Sequence, residues 1–150
     1  MNKGEIAKEL FESGCNCSQA VFCAFCEETG FDKETALKVS AGFGGGFGRL
    51  REVCGAVSGM TMVLSDKFAS ADPNDKEKKA ALYALIQKAA GDFKEENGSI
   101  ICRELLGLGE KISYPVPEDR TKEYYKKRPC SELVECAAKI AEKYLDESKK

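Results

Sequence analysis

Start and stop signals for helices recur along almost the whole chain, and they constrain the fold more than any other feature. Asn2 followed by Glu5, and Asn16 followed by Gln19, have the form of capping boxes, where polar side chains satisfy the first unpaired N–H groups of a helix. The second opens a helix predicted to run to about Thr29 and to stop at Gly30. Asp32 caps a third helix to about Ser40, and a fourth spans about Glu52 to Ala69. Asp72-Pro73-Asn74-Asp75 reads as another start, with Asp72 as cap and Pro73 at the first helical position. Leu82, Leu85, Ile86, Ala89 and Phe93 then form one apolar stripe, ended by Asn97-Gly98. Ser99 can cap a short helix holding Cys102, Leu105 and Leu106. Gly107 to Pro117 is irregular, and a last helix from about Pro129 buries Leu133, Val134, Ala137, Ile140, Ala141, Tyr144 and Leu145. No stretch alternates at period two. The expectation is an all-α fold of about six or seven helices, and at 150 residues the chain, 1–150, fits one domain.

Eight cysteines and no histidine decide which chemistry is open. Without histidine this chain has no Ser-His-Asp triad, no Cys-His dyad, no mixed Cys/His zinc finger and no His-ligated haem. The N-terminus has no secretory apolar core, and Ala20 to Cys26, the most apolar run, is far too short to span a bilayer. A cytoplasmic protein with reduced thiols is the expectation, with no membrane partner. The net charge of −2 and pI near 5.4 argue against a nucleic-acid surface.

Placed on the predicted helices, the cysteines sort into two groups. Cys17, Cys54, Cys102 and Cys130 each fall at or near a helix start, where the helix dipole and unpaired N–H groups favour a thiolate and lower its pKa. Arg49, Arg51, Arg103 and Arg128 lie close to them in sequence. Cys23, Cys26 and Cys136 fall inside helices among apolar neighbours and read as small packing residues; Cys15 stays unassigned. Cys23-Ala-Phe-Cys26 matches CxxC, but it lies within a predicted helix and lacks the strand-to-helix setting of a redox motif.

Gly42-Phe-Gly-Gly-Gly-Phe-Gly48 fits neither GxxxxGK[ST] nor GxGxxG, so a steric role is expected instead of phosphate binding. In that role backbone runs close to a neighbour or a cluster, with Phe43 and Phe47 as apolar anchors or a lid. Gly44, Gly46, Arg49 and Gly55 are the candidate cofactor-facing residues. Gly55, Ala56, Ser58 and Gly59 give the next helix a small-residue face for close packing. Glu118 to Arg128, with Tyr124 and Tyr125, reads as a solvated helix face, or a docking surface for an acidic redox partner.

Five segments together resemble the C_GCAxxG_C_C family of redox-active proteins. They are Asn16-Cys17-Ser-Gln-Ala-Val21, Ser40 to Arg49, Cys54-Gly-Ala-Val-Ser-Gly59, Cys102-Arg-Glu-Leu-Leu-Gly107 and Cys130-Ser-Glu-Leu-Val134. The resemblance covers nearly the whole chain and implies that Cys17, Cys54, Cys102 and Cys130 are the family's four cysteines. It also implies a small bacterial or archaeal redox protein, often encoded near transporter genes. A related domain in split-Soret cytochromes carries an iron–sulfur centre beside haems, but this chain has no CxxCH and the haem comparison does not transfer.

The leading expectation is that the four thiolates bind a [2Fe–2S] cluster for electron transfer. Metal-free thiol–disulfide exchange by Cys17 and Cys54, structural zinc, and a helical interaction module, such as a homodimer, whose cysteines only pack are the alternatives.

Overall fold

The structure, a computed structural model, describes residues 1–107, 115, 117–122, 124 and 129–149. Among these the helices are α1 (Lys3–Glu12), α2 (Cys17–Cys23), α3 (Cys26–Thr29), α4 (Lys33–Ser40), α5 (Gly55–Phe68), α6 (Lys76–Asn97), α7 (Cys102–Leu105) and α8 (Cys130–Glu147). Among the described residues a single antiparallel bridge, Val53 to Ile101, is the whole of the β-structure, so the all-α reading holds. No helix of the described residues is long and apolar enough to cross a membrane.

Local chemistry sets most of the helix starts. The Asn16 side chain accepts from Gln19 N–H at 2.9 Å, while the Gln19 side chain accepts from Asn16 N–H at 2.9 Å, closing the capping box of α2. Asp32 accepts from Thr35 N–H at 3.0 Å and opens α4. Two starts differ from the sequence expectation. Asp75, not Asp72, caps α6, through Lys78 N–H at 3.1 Å. Asp72 instead closes a turn before it, accepting from Asn74 N–H at 2.9 Å, because its short side chain bonds its own backbone two residues on. Ser99 is not the cap of α7. It accepts from Ile101 N–H at 2.9 Å and donates to Glu104 at 2.7 Å, and Ile101 takes the cap position.

The helix expected from Cys17 to Thr29 is broken. Phe22, Cys23, Ala24 and Phe25 are all buried in succession, which no single face of a straight helix permits. A turn at Ala24 and Phe25 separates α2 from α3, and Gly30 ends α3 in the left-handed conformation at φ 80°.

The core lies between α1, α2, α5 and α8, around Phe11, Phe25, Met60, Leu64 and Val134, with Phe93 from α6. α8 buries every apolar residue that its sequence pattern selected. α6 buries only Ala89 and Phe93 fully, with Leu82, Leu85 and Ile86 half-buried, so its first half stands partly off the body. α5 approaches α2 closely: a Cβ at Gly59 would lie 2.8 Å from Ser18 O and 2.9 Å from Val21 Cβ.

The Asn16 side chain does more than cap. It also accepts from Ser18 Oγ at 2.8 Å and donates to Ala41 O at 2.9 Å, tying α2 to the end of α4. A cap contributes about 1 kcal/mol and a further hydrogen bond about 1 more. Asn16→Ala should therefore lower unfolding free energy by about 2 kcal/mol in a urea titration; a loss under about 0.5 kcal/mol would show that these bonds are not made in solution.

Candidate functional site

The four cysteines at helix starts meet at one cavity. Cys17 is the first residue of α2, Cys54 the cap residue of α5, Cys102 the first of α7 and Cys130 the first of α8. Backbone pairing sets two of them side by side: Cys54 N–H donates to Ile100 O at 2.7 Å and Cys102 N–H to Glu52 O at 2.6 Å, on either side of the Val53–Ile101 bridge. Cys17 shares a side-chain hydrogen bond with Cys130 and also stands near Cys54 and Cys102. All four line a cavity of about 270 Å³, together with Asn16, Arg51 and the predicted Gly44, Gly46, Arg49 and Gly55. Cys54, Cys102 and Cys130 are buried, and all eight cysteines of the chain are thiols. Among the described residues no three Cys, Asp or Glu side chains close on one point as a mononuclear metal site would; the four thiols ring the cavity.

Glycines let the backbone reach this cavity. A Cβ at Gly46 would stand 2.6 Å from Cys102 Cβ and 2.8 Å from Arg51 Cα; one at Gly55 would stand 3.1 Å from Cys17 Cβ; one at Gly44 would overlap the Asn16 side chain. The segment is not a plain loop. A 3₁₀ turn, Ala41–Phe43, leads into a left-handed run in which Gly45, Gly46 and Gly48 have φ of 67°, 74° and 58°. Phe47, Arg49 and Arg51 share that region at 72°, 65° and 62°. Non-glycine residues there cost about 1 kcal/mol or more each, and such strain persists only where surrounding bonds enforce it. Gly48 N–H to Gly42 O and Glu52 N–H to Gly46 O, both 2.8 Å, do so here. Phe43 and Phe47 are not a lid. Their rings meet edge to face at 6.0 Å and line a separate groove with Val53 and Met62.

The wound segment delivers Arg51 inside. Its guanidinium is buried and Nη1 donates to Cys102 Sγ at 3.7 Å. No carboxylate among the described residues pairs with it, whereas Arg49 pairs with Glu118 at 3.6 Å and Arg103 with Glu52 at 3.2 Å. Arg128 lies outside the described residues. The expectation of lowered thiol pKa values is corrected for two of the four. The hydrogen bond to Cys130, burial and the neighbouring thiols push Cys17 well up. Burial pushes Cys54 up to about 12, although Ala56 and Val57 N–H groups act in the opposite direction. At Cys54 desolvation outweighs the helix terminus because that thiol sits beneath the surface.

Pro115, Pro117, Glu118, Arg120 and Tyr124 form part of the cavity wall. Arg120 stacks over Phe11 at 4.5 Å and Tyr124 at 5.0 Å, and donates to Cys15 O at 3.1 Å. Arg120 and Tyr124 therefore serve the cavity and not a solvated helix face, while 125–128 lie outside the described residues. Sequence reasoning did not select Asn16, Arg51, Arg120 or Tyr124 as lining residues. Asn16 and Arg51 carried a signal, their nearness to Cys17 and Cys54. Cys136 bonds Glu96 at 3.1 Å and Asn97 at 3.4 Å, away from the cavity.

Residues 15–144 match the family model described as “putative redox-active protein (C_GCAxxG_C_C)”. The chain belongs to the C_GCAxxG_C_C family. The matched span begins just before Cys17 and extends past Cys130, so it contains every thiol of the cavity. No curated protein and no solved structure matches this C_GCAxxG_C_C chain.

Two outcomes follow from the site's packing. Gly46→Ala should destabilise the protein by about 2 kcal/mol or more, since it adds left-handed strain to a 2.6 Å overlap. Gly42→Ala, with open space around it and ordinary φ, should stay within about 0.5 kcal/mol. Equal effects in denaturant titrations would refute the close approach. The second outcome concerns pH. Buried thiols stay protonated in the fold while the unfolded chain ionises from about pH 9, so the metal-free protein should lose stability from there up to about pH 12. A melting temperature flat over that window would overturn the burial of Cys54.

Proposed function

We propose that Cys17, Cys54, Cys102 and Cys130 together hold an iron–sulfur cluster, [2Fe–2S], and that the protein carries single electrons to a redox partner. The observation that carries this reading is the buried Arg51, paired with no carboxylate among the described residues and lining one cavity with four thiols. A buried cation costs several kcal/mol unless an anion answers it, and four thiolates with a bound group provide that anion. The donor set fits the group: four soft sulfurs are what such a cluster takes, and the glycine backbone leaves room beside them. When bound, the cluster supplies one-electron chemistry at a potential set by charge, burial and hydrogen bonds to sulfur.

The chain's own residues would set those conditions. Arg51 donates to the Cys102 sulfur and offsets negative charge. Leu105, Leu106, Leu133, Arg120 and Tyr124 complete the cavity wall around the thiols. Zinc also suits four thiolates, but a ring of sulfurs about a cavity favours a group of several atoms over one ion.

A second reading rests on its own observation. Cys17 shares a hydrogen bond with Cys130, so metal-free exchange would oxidise that pair, in place of the Cys17–Cys54 pair expected from sequence.

Protein purified without oxygen should contain stoichiometric iron and sulfide with visible charge-transfer absorption, and Cys54→Ser should lose most of both. Zinc alone would make the site structural. Colourless, metal-free protein that stays so after cluster reconstitution, with a Cys17–Cys130 disulfide on mild oxidation, would establish the second reading.

A further inference from the structure

Cys23 and Cys26 lie apart from the cavity. Cys23 ends α2, the helix that Cys17 begins, so about 9 Å of helix axis separates the two at about 1.5 Å per residue. Neither Cys23 nor Cys26 lines the cavity. The chain between them is a turn, with Ala24 at φ −62°, ψ −19° and Phe25 at φ −110°, ψ 21°. Those are type I values, which bring the first and fourth Cα atoms within about 7 Å. A disulfide bridges Cα atoms about 4.4 to 6.8 Å apart. Ala24 and Phe25 are buried, which anchors the turn from below. The two thiols stand close enough to shift each other's titration. Cys23 is buried and Cys26 half-exposed, which gives an inner and an outer thiol.

We propose that Cys23 and Cys26 are a second redox site, a dithiol–disulfide couple that exchanges with an external disulfide. Exposure assigns the order of attack: Cys26 reaches solvent and Cys23 is buried. Burial raises the Cys26 pKa and Asp32 adds to the rise, while Cys23, Lys33 and Lys3 act the other way. Burial and the adjacent Cys26 and Cys15 hold Cys23 protonated, with its pKa pushed up to about 12. Cys26 loses its proton to solvent and attacks one sulfur of the external disulfide RSSR, forming a Cys26–S–S–R bond and releasing RS⁻, which takes up a proton. Cys23 then gives up its proton and attacks the Cys26 sulfur, forming the Cys23–Cys26 bond and releasing the second RS⁻, again protonated by solvent. Two protein thiols lose two electrons and one RSSR becomes two RSH.

The test uses full-length protein equilibrated with glutathione disulfide, quenched in acid, alkylated and sequenced by fragment mass spectrometry. Cys23 and Cys26 should lose alkylation together as an intramolecular bridge, and dithiothreitol should restore both. Cys23→Ser should accumulate one glutathione on Cys26, while Cys26→Ser should leave Cys23 alkylatable and free of glutathione. The proposal is overturned if Cys26 in the wild-type protein stays alkylatable under conditions that oxidise dithiothreitol, or if it pairs with Cys15. Iron content plays no part in this readout, so it stands or fails separately from the four-cysteine site.

Discussion

The cysteine-lined cavity depends on one close contact, the approach of α5 to α2 through Gly55 and Gly59. With hydrogen in place of side chains there, the start of α5 lies against Ser18 and Val21, and Cys54 comes alongside Cys17. The other two cysteines are added to this pair by different means. The short bridge between Val53 and Ile101 ties Cys102 to Cys54 through backbone hydrogen bonds. The amphipathic α8, packed into the same core, sets Cys130 against Cys17. Larger side chains at the two glycines would separate the helices and open the ring of thiols.

The site concentrates costs that the rest of the fold offsets. Three non-glycine residues sit in the left-handed region, a guanidinium is buried with no carboxylate beside it among the described residues, and thiols are held away from water. Each is unfavourable taken alone. They occur together beside a core that holds Phe11, Met60 and Val134 fully buried, which supplies the stabilisation that such a site consumes. Local departures from good sequence–structure agreement gather where chemistry is done, and here they gather around Arg51.

The helix pattern was legible because it is written in local chemistry. Asn16, Asp32 and Gly98 act within a few residues of themselves, so their roles as caps and stops need no knowledge of the fold. The misread elements are those where packing overrode the local signal. Ala24 and Phe25 are acceptable helix residues, and only the demand to bury four successive side chains breaks the helix there. The choice between Asp72 and Asp75 turns on which of two adjacent acids starts the helix and which closes the turn before it. The left-handed run from Gly45 to Arg51 was half visible, since its glycines show in the sequence but Phe47, Arg49 and Arg51 at positive φ do not.

By itself the sequence determined that the protein is helical, which cysteines begin helices, and that any catalytic or binding chemistry must proceed without histidine. Periodicity, capping and composition are local or additive properties, and they survive in a linear reading. Tertiary structure alone decided that Cys17, Cys54, Cys102 and Cys130 share one cavity, that Arg51 enters it, and that Arg120 and Tyr124 help to wall it. It also turned the pKa of two thiols: a helix start predicts a lowered value, and the Cys130 neighbour at Cys17 and burial at Cys54 raise it. Distance and desolvation depend on which residues far apart in the chain are packed together, and spacing along the chain does not encode that.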